Sequence, residues 1–406
     1  MATVRVFNVK HGDLIFLGLD NNILITRDFG SLDSGINFNW TNNLPKYLHC
    51  CHPYLDGINP NCHREAILTH PHSDHYSGYQ IMHNLGYRNY FDRAYVPYLD
   101  LGTISSKPSF HSLQLKTALC FISVMPLQKT QKIQEWIMIA PLMRDLSKHL
   151  IGVYTGCTAF NHWQPQGTVI WPPMPTDVYY QKKYKKLIDM LDIFSCNVRD
   201  CADSIYGELS DILTTLFDPD EFFYGYGDNE RDVSDYLIAE EGPKNDKLSK
   251  LITLLGQIAG QFSYENNEHI EKYYKSFGSL IDDHSVAFSI GDSNVKRALF
   301  LSDFHDSAMN RMVHFMTTPD YEFLKSAHHG TRLGDKLEKF LSTNPLAKEV
   351  IHCCGPSNNP NYYGPSQRYS NLAHNTYCTD WNRSSIRWVW NPKYKLFNQL
   401  FQDFRL

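Results

Sequence analysis

The chain has 406 residues, 42% of them hydrophobic and 20% charged, with a net charge of −5 and an aromatic load of 25 Tyr and 23 Phe. That composition exceeds what a disordered chain offers and is ample for one large core or several ordinary ones, while the mild acidity excludes a global attraction to nucleic acid or anionic lipid. The longest apolar run, "ALCFISVMPL" at 118–127, is about half of the roughly 20 residues a spanning helix needs, so no membrane partner is expected.

The opening "MATVRVFNVKHGDLIFL" lacks a signal-peptide pattern, and ten cysteines without one point to reduced thiols and a cytoplasmic location. Residues 3–9, 14–17 and 22–26 alternate as strands do, around "KHGD" at 10–13 and a "DN" turn, so the chain is expected to begin as a β-meander. "EAILT" at 65–69 reads as a short buried strand, and "RAYVPYL" at 93–99 as another. From about 128 to 160 and from 176 to 280, apolar residues recur at three and four positions, which predicts helices. Between them "GTVIWPP" at 167–173 is a strand closed by two prolines. Strand signals return in "SVAFSI" (285–290) and "RALFLSD" (297–303), followed by a helical "SAMNRMVHFM", then "FLKSAHHG" (323–330) and "EVIHCCGP" (349–356).

Strands alternating with helices, with polar residues massed at strand ends, imply a layered α/β domain. It is expected to comprise 1–130 and 281–406, interrupted by a mainly helical insertion at 131–280 from which 167–173 returns to the first domain. Residues 176–281 carry 20 acidic against 11 basic side chains, a local −9 that leaves the remainder at +4. The insertion thus has its own surface, suited to a protein partner or to self-association.

Within "THPHSDHYSG", His70, His72, Asp74 and His75 crowd six positions directly after a strand. Imidazoles and carboxylates are the ligands of zinc and related divalent ions, and a cation offsets the cost of burying them together. His70 and His72 can face one ion while Asp74 and His75 turn to a second. Further ligands must come from distant sequence, and two strand ends offer them: Asp303 after "RALFLS", and His328 and His329 beside Gly330.

"THPHSDHYSG" resembles the H-x-H-x-D-H signature of the metallo-β-lactamase superfamily, and the other pieces follow in that family's order. "VKHGDLIFL" with "NNILITRDFG" resembles its opening strands and Asp-x-Gly turn, here Asp28 and Gly30. "ALFLSD" resembles the strand bearing a bridging aspartate, with Ser302 where Gly is usual. "LKSAHHGT" resembles the His-His-Gly-Ser segment of the branch that contains ComEC-like nucleases and phosphorylcholine esterases. The resemblance covers roughly 3–100, 165–175 and 281–380.

It implies an αββα sandwich with two divalent metal ions, zinc favoured and manganese possible. One ion would be held by His70, His72 and Asp303, the other by Asp74, His75, Asp303 and one histidine of the 328–329 pair, His329 favoured because it directly precedes Gly330. His328 would lie behind the ligands or donate a proton, and Asp28 would orient a ligand. The implied activity is hydrolysis through a metal-activated hydroxide, with a phosphodiester of nucleic acid or a small nucleotide as substrate, Asp74 and His328 acting in catalysis, and His328 or a water protonating the leaving oxygen. Alternatives are a hydrolase of lactone, thioester or β-lactam bonds, or a degenerate metal-binding module acting through protein partners. Many members place another histidine between the first motif and the bridging aspartate; His162 and His284 are the candidates. Where the branch often has Tyr-Gly-His-Pro-Ser, this chain reads Tyr363-Gly364-Pro365-Ser366.

Overall fold

The computed structural model describes residues 2–7, 9, 12–31, 62–97, 142–174, 177–183, 185–186, 268–291, 297–343, 347–354, 365–379, 394–396 and 401–405. Contacts group the chain into two units, one of 1–97, 140–173 and 281–406, the other of 98–139 and 174–280. In the second unit the described residues are helical at 178–183 and 185–186 and over most of a helix at Glu268–Asp283. The remaining helices expected between 187 and 267 lie outside the described residues.

The first unit is α/β, with two mixed sheets. Its strands in chain order are β1 (Thr3–Phe7), β2 (Leu14–Gly18), β3 (Ile23–Phe29), β4 (His63–Ile67), β5 (Phe91–Pro97), β6 (Ser147–Val153), β7 (Gly167–Trp171), β8 (Ala287–Ile290), β9 (Ala298–Phe300), β10 (Phe323–Lys325), β11 (Ala347–His352), β12 (Ala373–Cys378), β13 (Tyr394–Leu396) and β14 (Phe401–Arg405). The helices that matter below are α1 (Ser73–Asn84), α2 (Glu268–Asp283), α3 (Asp306–Met312) and α4 (Asp335–Leu341).

One sheet has the order β14-β1-β2-β3-β4-β5-β6, the other β13-β12-β11-β10-β9-β8-β7. The expected meander is present, β1 pairing antiparallel with β2 and β2 with β3. From β3 onward the first sheet grows by parallel pairing through β4, β5 and β6. The second sheet has the same plan: β7, β8 and β9 are antiparallel, and β10, β11, β12 and β13 are added in parallel. Alternate residues of both sheets meet in one apolar cluster, with Val4, Val6, Ile15 and Leu17 from the first and Phe288, Ile290, Phe300 and Phe323 from the second. The period of two in these stretches is the signature of a strand with one face in a core, and each such side chain contributes about 1.5–3 kcal/mol by leaving water.

One expectation is corrected. Residues 147–153, read as part of a helical stretch at 128–160, form the edge strand β6, paired with β5 from Phe91↔Ser147 to Pro97↔Val153. Leu142, Met143 and Leu146 do sit on a helical turn. Beyond it Leu150, Ile151 and Val153 fall too close together to separate a period of two from one of 3.6. Pairing with the open edge of β5 satisfies backbone groups that a helix would not, and that decides the outcome. Among the described residues no helix is long and apolar enough to cross a membrane.

The segment between β6 and β7 is pinned from below by Glu65 of β4, which is fully buried. Its carboxylate accepts from Trp163 Nε1 at 2.7 Å, His162 Nε2 at 2.7 Å and Tyr95 Oη at 3.1 Å, with His63 Nε2 at 3.1 Å. Burial alone would raise the pKa of Glu65, but the bonds from His162, His63 and Trp163 outweigh it and bring it to about 2 from 4.5. A carboxyl depressed on folding stabilises above its unfolded pKa and loses that contribution as pH falls through its folded one, so the window is pH 4.5 down to about 2. Urea unfolding should therefore show Glu65→Gln less stable than the parent near neutrality by roughly 2–3 kcal/mol. That gap should narrow as pH falls below 4.5 and close only near pH 2; a constant gap would mean that packing, not charge, is what Glu65 contributes.

Candidate metal centre

The sequence motifs meet where the C-terminal ends of β3, β4, β9 and β10 come together. His70 and Pro71 form a bend after β4, and His72, extended at φ −95° and ψ 145°, is the N-cap of α1. Its carbonyl accepts from the amides of His75 and Tyr76 at 2.8 and 3.2 Å, which places Asp74 and His75 in the first helical turn. Asp74 there also benefits from the positive end of the helix dipole.

Gly30, just past β3, lets this turn approach: a Cβ would lie 2.3 Å from both Asp74 C and His75 N. Backbone cannot give way as a flexible side chain can. Gly30→Ala should lower stability by about 1–3 kcal/mol and weaken zinc binding by about tenfold or more, because it shifts two candidate ligands. Thermal melts and a zinc titration check this, and an unaltered zinc affinity would contradict it.

After β10 the chain turns through three consecutive left-handed residues, His328 (φ 43°), His329 (φ 53°) and Gly330 (φ 89°). For the two histidines this conformation carries strain of the kind found at functional sites. At Gly330 no side chain fits, since a Cβ would sit 2.4 Å from His352 Nδ1. The turn delivers His329 into the centre, buried to 1% exposure.

Two overlapping groups result. His70, His72 and Asp303 form one; Asp74, His75, Asp303 and His329 form the other, each with its ligand atoms mutually within 4.8 Å. Asp303 Oδ2 belongs to both, 3.7 Å from His70 Nε2, 3.6 Å from His75 Nε2 and 3.7 Å from His329 Nε2. His70 Nε2 and His72 Nδ1 are 3.1 Å apart, and His329 Nε2 and Asp74 Oδ2 2.9 Å. Ligand atoms around a four-coordinate zinc are spaced by about 3.4 Å. These groups could hold a metal ion.

The far sides of three of these rings are tied down. His75 Nδ1 lies 3.0 Å from Asp28 Oδ2, and His329 Nδ1 donates to the Cys353 carbonyl at 2.7 Å. His70 Nδ1 lies 3.2 Å from Thr69 Oγ1 and 3.3 Å from Ser302 Oγ, while Ser302 donates to Thr69 Oγ1 at 2.9 Å and Thr69 to Asp28 Oδ2 at 2.9 Å. The serine that stands at 302 therefore belongs to a chain of hydroxyls orienting His70. Anchoring Nδ1 in this way leaves Nε2 to face the centre. There His75 Nε2 and Asp303 Oδ1 are buried without a hydrogen-bond partner.

Charge points the same way. Burial would lower the pKa of His75 and His329, but Asp28, Asp303 and Asp74 lift His75 well above the usual range, and Asp303, Asp13 and Asp74 lift His329 to about 10. Burial pushes His70 the other way, well below 6.5, with His75 adding to the effect. Asp303 is held well below its ordinary value by His328, His329, His75 and His70 in spite of its burial. A centre that draws protons onto two imidazoles is one that calls for positive charge, and a divalent cation would supply it while releasing them. The residues fit a metal ion.

Of the candidates for an extra histidine ligand, His162 is engaged with Glu65, and neither it nor His284 enters a metal-binding group among the described residues. His328 adjoins the centre without joining either group. Sequence reasoning missed the charged support beneath it: Arg27, Lys325 and Asp13 are all fully buried. Arg27 Nη1 bonds Asp13 Oδ2 at 2.9 Å and lies 3.1 Å from Asp28 Oδ2, its Nη2 donates to the Leu301 carbonyl at 2.8 Å, and Lys325 Nζ lies 2.6 Å from Asp13 Oδ2. A third group of Asp13, Asp28 and His75 also lies within reach of an ion. Arg27 and Lys325 already supply it with positive charge.

A scan against models of known protein families matched none, and a search of curated proteins found no relative.

Proposed function

We propose that the chain is a metal-dependent hydrolase with the αββα metallo-β-lactamase fold, acting as a phosphodiesterase or nuclease. The observation that carries this reading is the position of Asp303, one oxygen of which stands 3.6–3.7 Å from three imidazole nitrogens belonging to two ligand groups. Two divalent cations, zinc favoured by the imidazole–carboxylate set and manganese compatible with it, would supply Lewis acidity and activate water at neutral pH. His70, His72 and Asp303 would hold one; Asp74, His75, Asp303 and His329 the other. Asp28 orients His75, and Thr69 with Ser302 orients His70.

Of the two proton sources considered for the leaving oxygen, the charge state of His328 favours water. Burial holds the pKa of His328 at about 3 against the pull of Asp303, so the ring is uncharged at neutral pH. The chain's net charge of −5 gives a long polyanion no global attraction, which favours a small phosphodiester such as a nucleotide.

The test is hydrolysis by metal-loaded protein of bis(p-nitrophenyl) phosphate, a lactone and nitrocefin, each beside Asp74→Ala. Turnover of the phosphodiester that disappears in the variant supports the proposal. Turnover of the lactone or nitrocefin alone transfers the assignment to the other hydrolases of the superfamily. A protein that binds metal and turns over none of them is a binding module whose 131–280 segment serves a protein partner or self-association.

A further inference from the structure

Asp282, in the last turn of α2, is a buried carboxylate at 6% exposure whose two oxygens have different surroundings. Oδ2 accepts from Arg332 Nη1 at 3.0 Å and lies 3.7 Å from His305 Nε2. Oδ1 has no hydrogen-bond partner and is shielded from solvent. It stands 3.6 Å from His72 Nδ1, the same spacing that separates the candidate ligand atoms inside the two groups. A buried, unpartnered carboxylate oxygen is costly unless something positive faces it.

The backbone at this point is fixed. The Asp282 carbonyl accepts from the Ser285 amide at 3.1 Å and from Ser285 Oγ at 2.6 Å. Next to it Asp283 Oδ1 accepts from the His305 amide at 3.1 Å and lies 3.2 Å from His305 Nδ1, which ties the turn to the start of α3. Arg332, in turn, also donates to the Asp303 carbonyl at 3.4 Å, so one guanidinium holds Asp282 beside the aspartate shared by both groups.

We propose that Asp282 Oδ1 is a further ligand of the ion held by His70, His72 and Asp303, with Arg332 and His305 as the residues that position it. The proposal rests on the metal reading above and extends its ligand set. The mutually close group stops at His70, His72 and Asp303, and Asp282 adjoins it at His72. With Asp282 included, each ion has two imidazole nitrogens and two carboxylate oxygens: His70, His72, Asp303 and Asp282 on one side, His75, His329, Asp74 and Asp303 on the other. Matched sets give the two ions similar affinities, and the added oxygen makes the first position hospitable to manganese as well as zinc.

The experiment titrates zinc into the metal-free full chain against a chromophoric chelator, for the parent, Asp282→Asn and Asp282→His. The parent should take up two ions of comparable affinity. Asp282→Asn should keep one and weaken the other by at least about tenfold. Asp282→His, which retains a metal ligand but abandons Arg332, should hold both zinc ions and lose manganese at one position. Asp282→Asn binding both ions as the parent does, or Asp282→His losing an ion, overturns the proposal while leaving the metal centre intact. A parent that takes up no zinc removes the hydrolase reading together with this one.

Discussion

Asp303→Asn should leave the protein folded but unable to hold both ions, with zinc content falling from two per chain to one or fewer. Hydrolysis of the phosphodiester should fall at least about 10³-fold, roughly 4 kcal/mol of transition-state stabilisation. The size of the effect follows from geometry: one oxygen of this side chain serves both ligand groups, so its charge cannot be replaced by a neighbour. Asn is nearly isosteric, and far-UV circular dichroism separates loss of metal from loss of fold. Metal content by mass spectrometry and steady-state kinetics read the outcome, and a variant that retains two ions and the parental rate would remove Asp303 from the mechanism.

The second large effect concerns stability. Asp13→Ala should destabilise the first unit by about 3–5 kcal/mol, because Lys325 and Arg27 would remain buried while losing a carboxylate 2.6 and 2.9 Å away. Arg27 keeps Asp28, whereas Asp13 is the carboxylate that faces Lys325. At this size the melting temperature should fall by about 10 °C. Removing the pair together, Asp13→Ala with Lys325→Met, should recover most of the loss, since no charge is then left uncompensated. Losses that simply add in the double variant would show that the two residues are not coupled.

The parts of the fold legible in the sequence were those with a clean period. Val4 and Val6, Ile15 and Leu17, and Phe288 and Ile290 alternate because one face of each strand meets the shared cluster. β6 was hidden because its apolar residues are adjacent and its strand character comes from pairing with β5, which lies some fifty positions away. At the centre, the density of ligand-type residues between His70 and His75 was visible without any structure. Asp303 and His329 were visible only as polar residues at strand ends, and their partnership with the first motif came from resemblance.

Asp282 and the buried cations were not legible. Lys325 is the one charge of a short strand and Arg27 stands beside Asp28 in another, patterns that normally mark a solvent-facing side. Nothing local tells that Lys325 will meet Asp13 across 312 positions of chain. Asp282 sits in a run, Asp282-Asp283-His284-Ser285, in which His284 is the more usual ligand type. In the structure His284 is deeply buried and pushed to a pKa of about 3, while the aspartate two residues earlier faces His72.

The most direct measurement is an anomalous difference map at the zinc absorption edge, from crystals grown with zinc. Two peaks about 3.5–4 Å apart, with the Asp303 carboxylate between them and His70 and His75 on opposite sides, are the predicted result. A single peak away from Asp303, or that carboxylate turned from the imidazoles with no peak among them, would contradict the account.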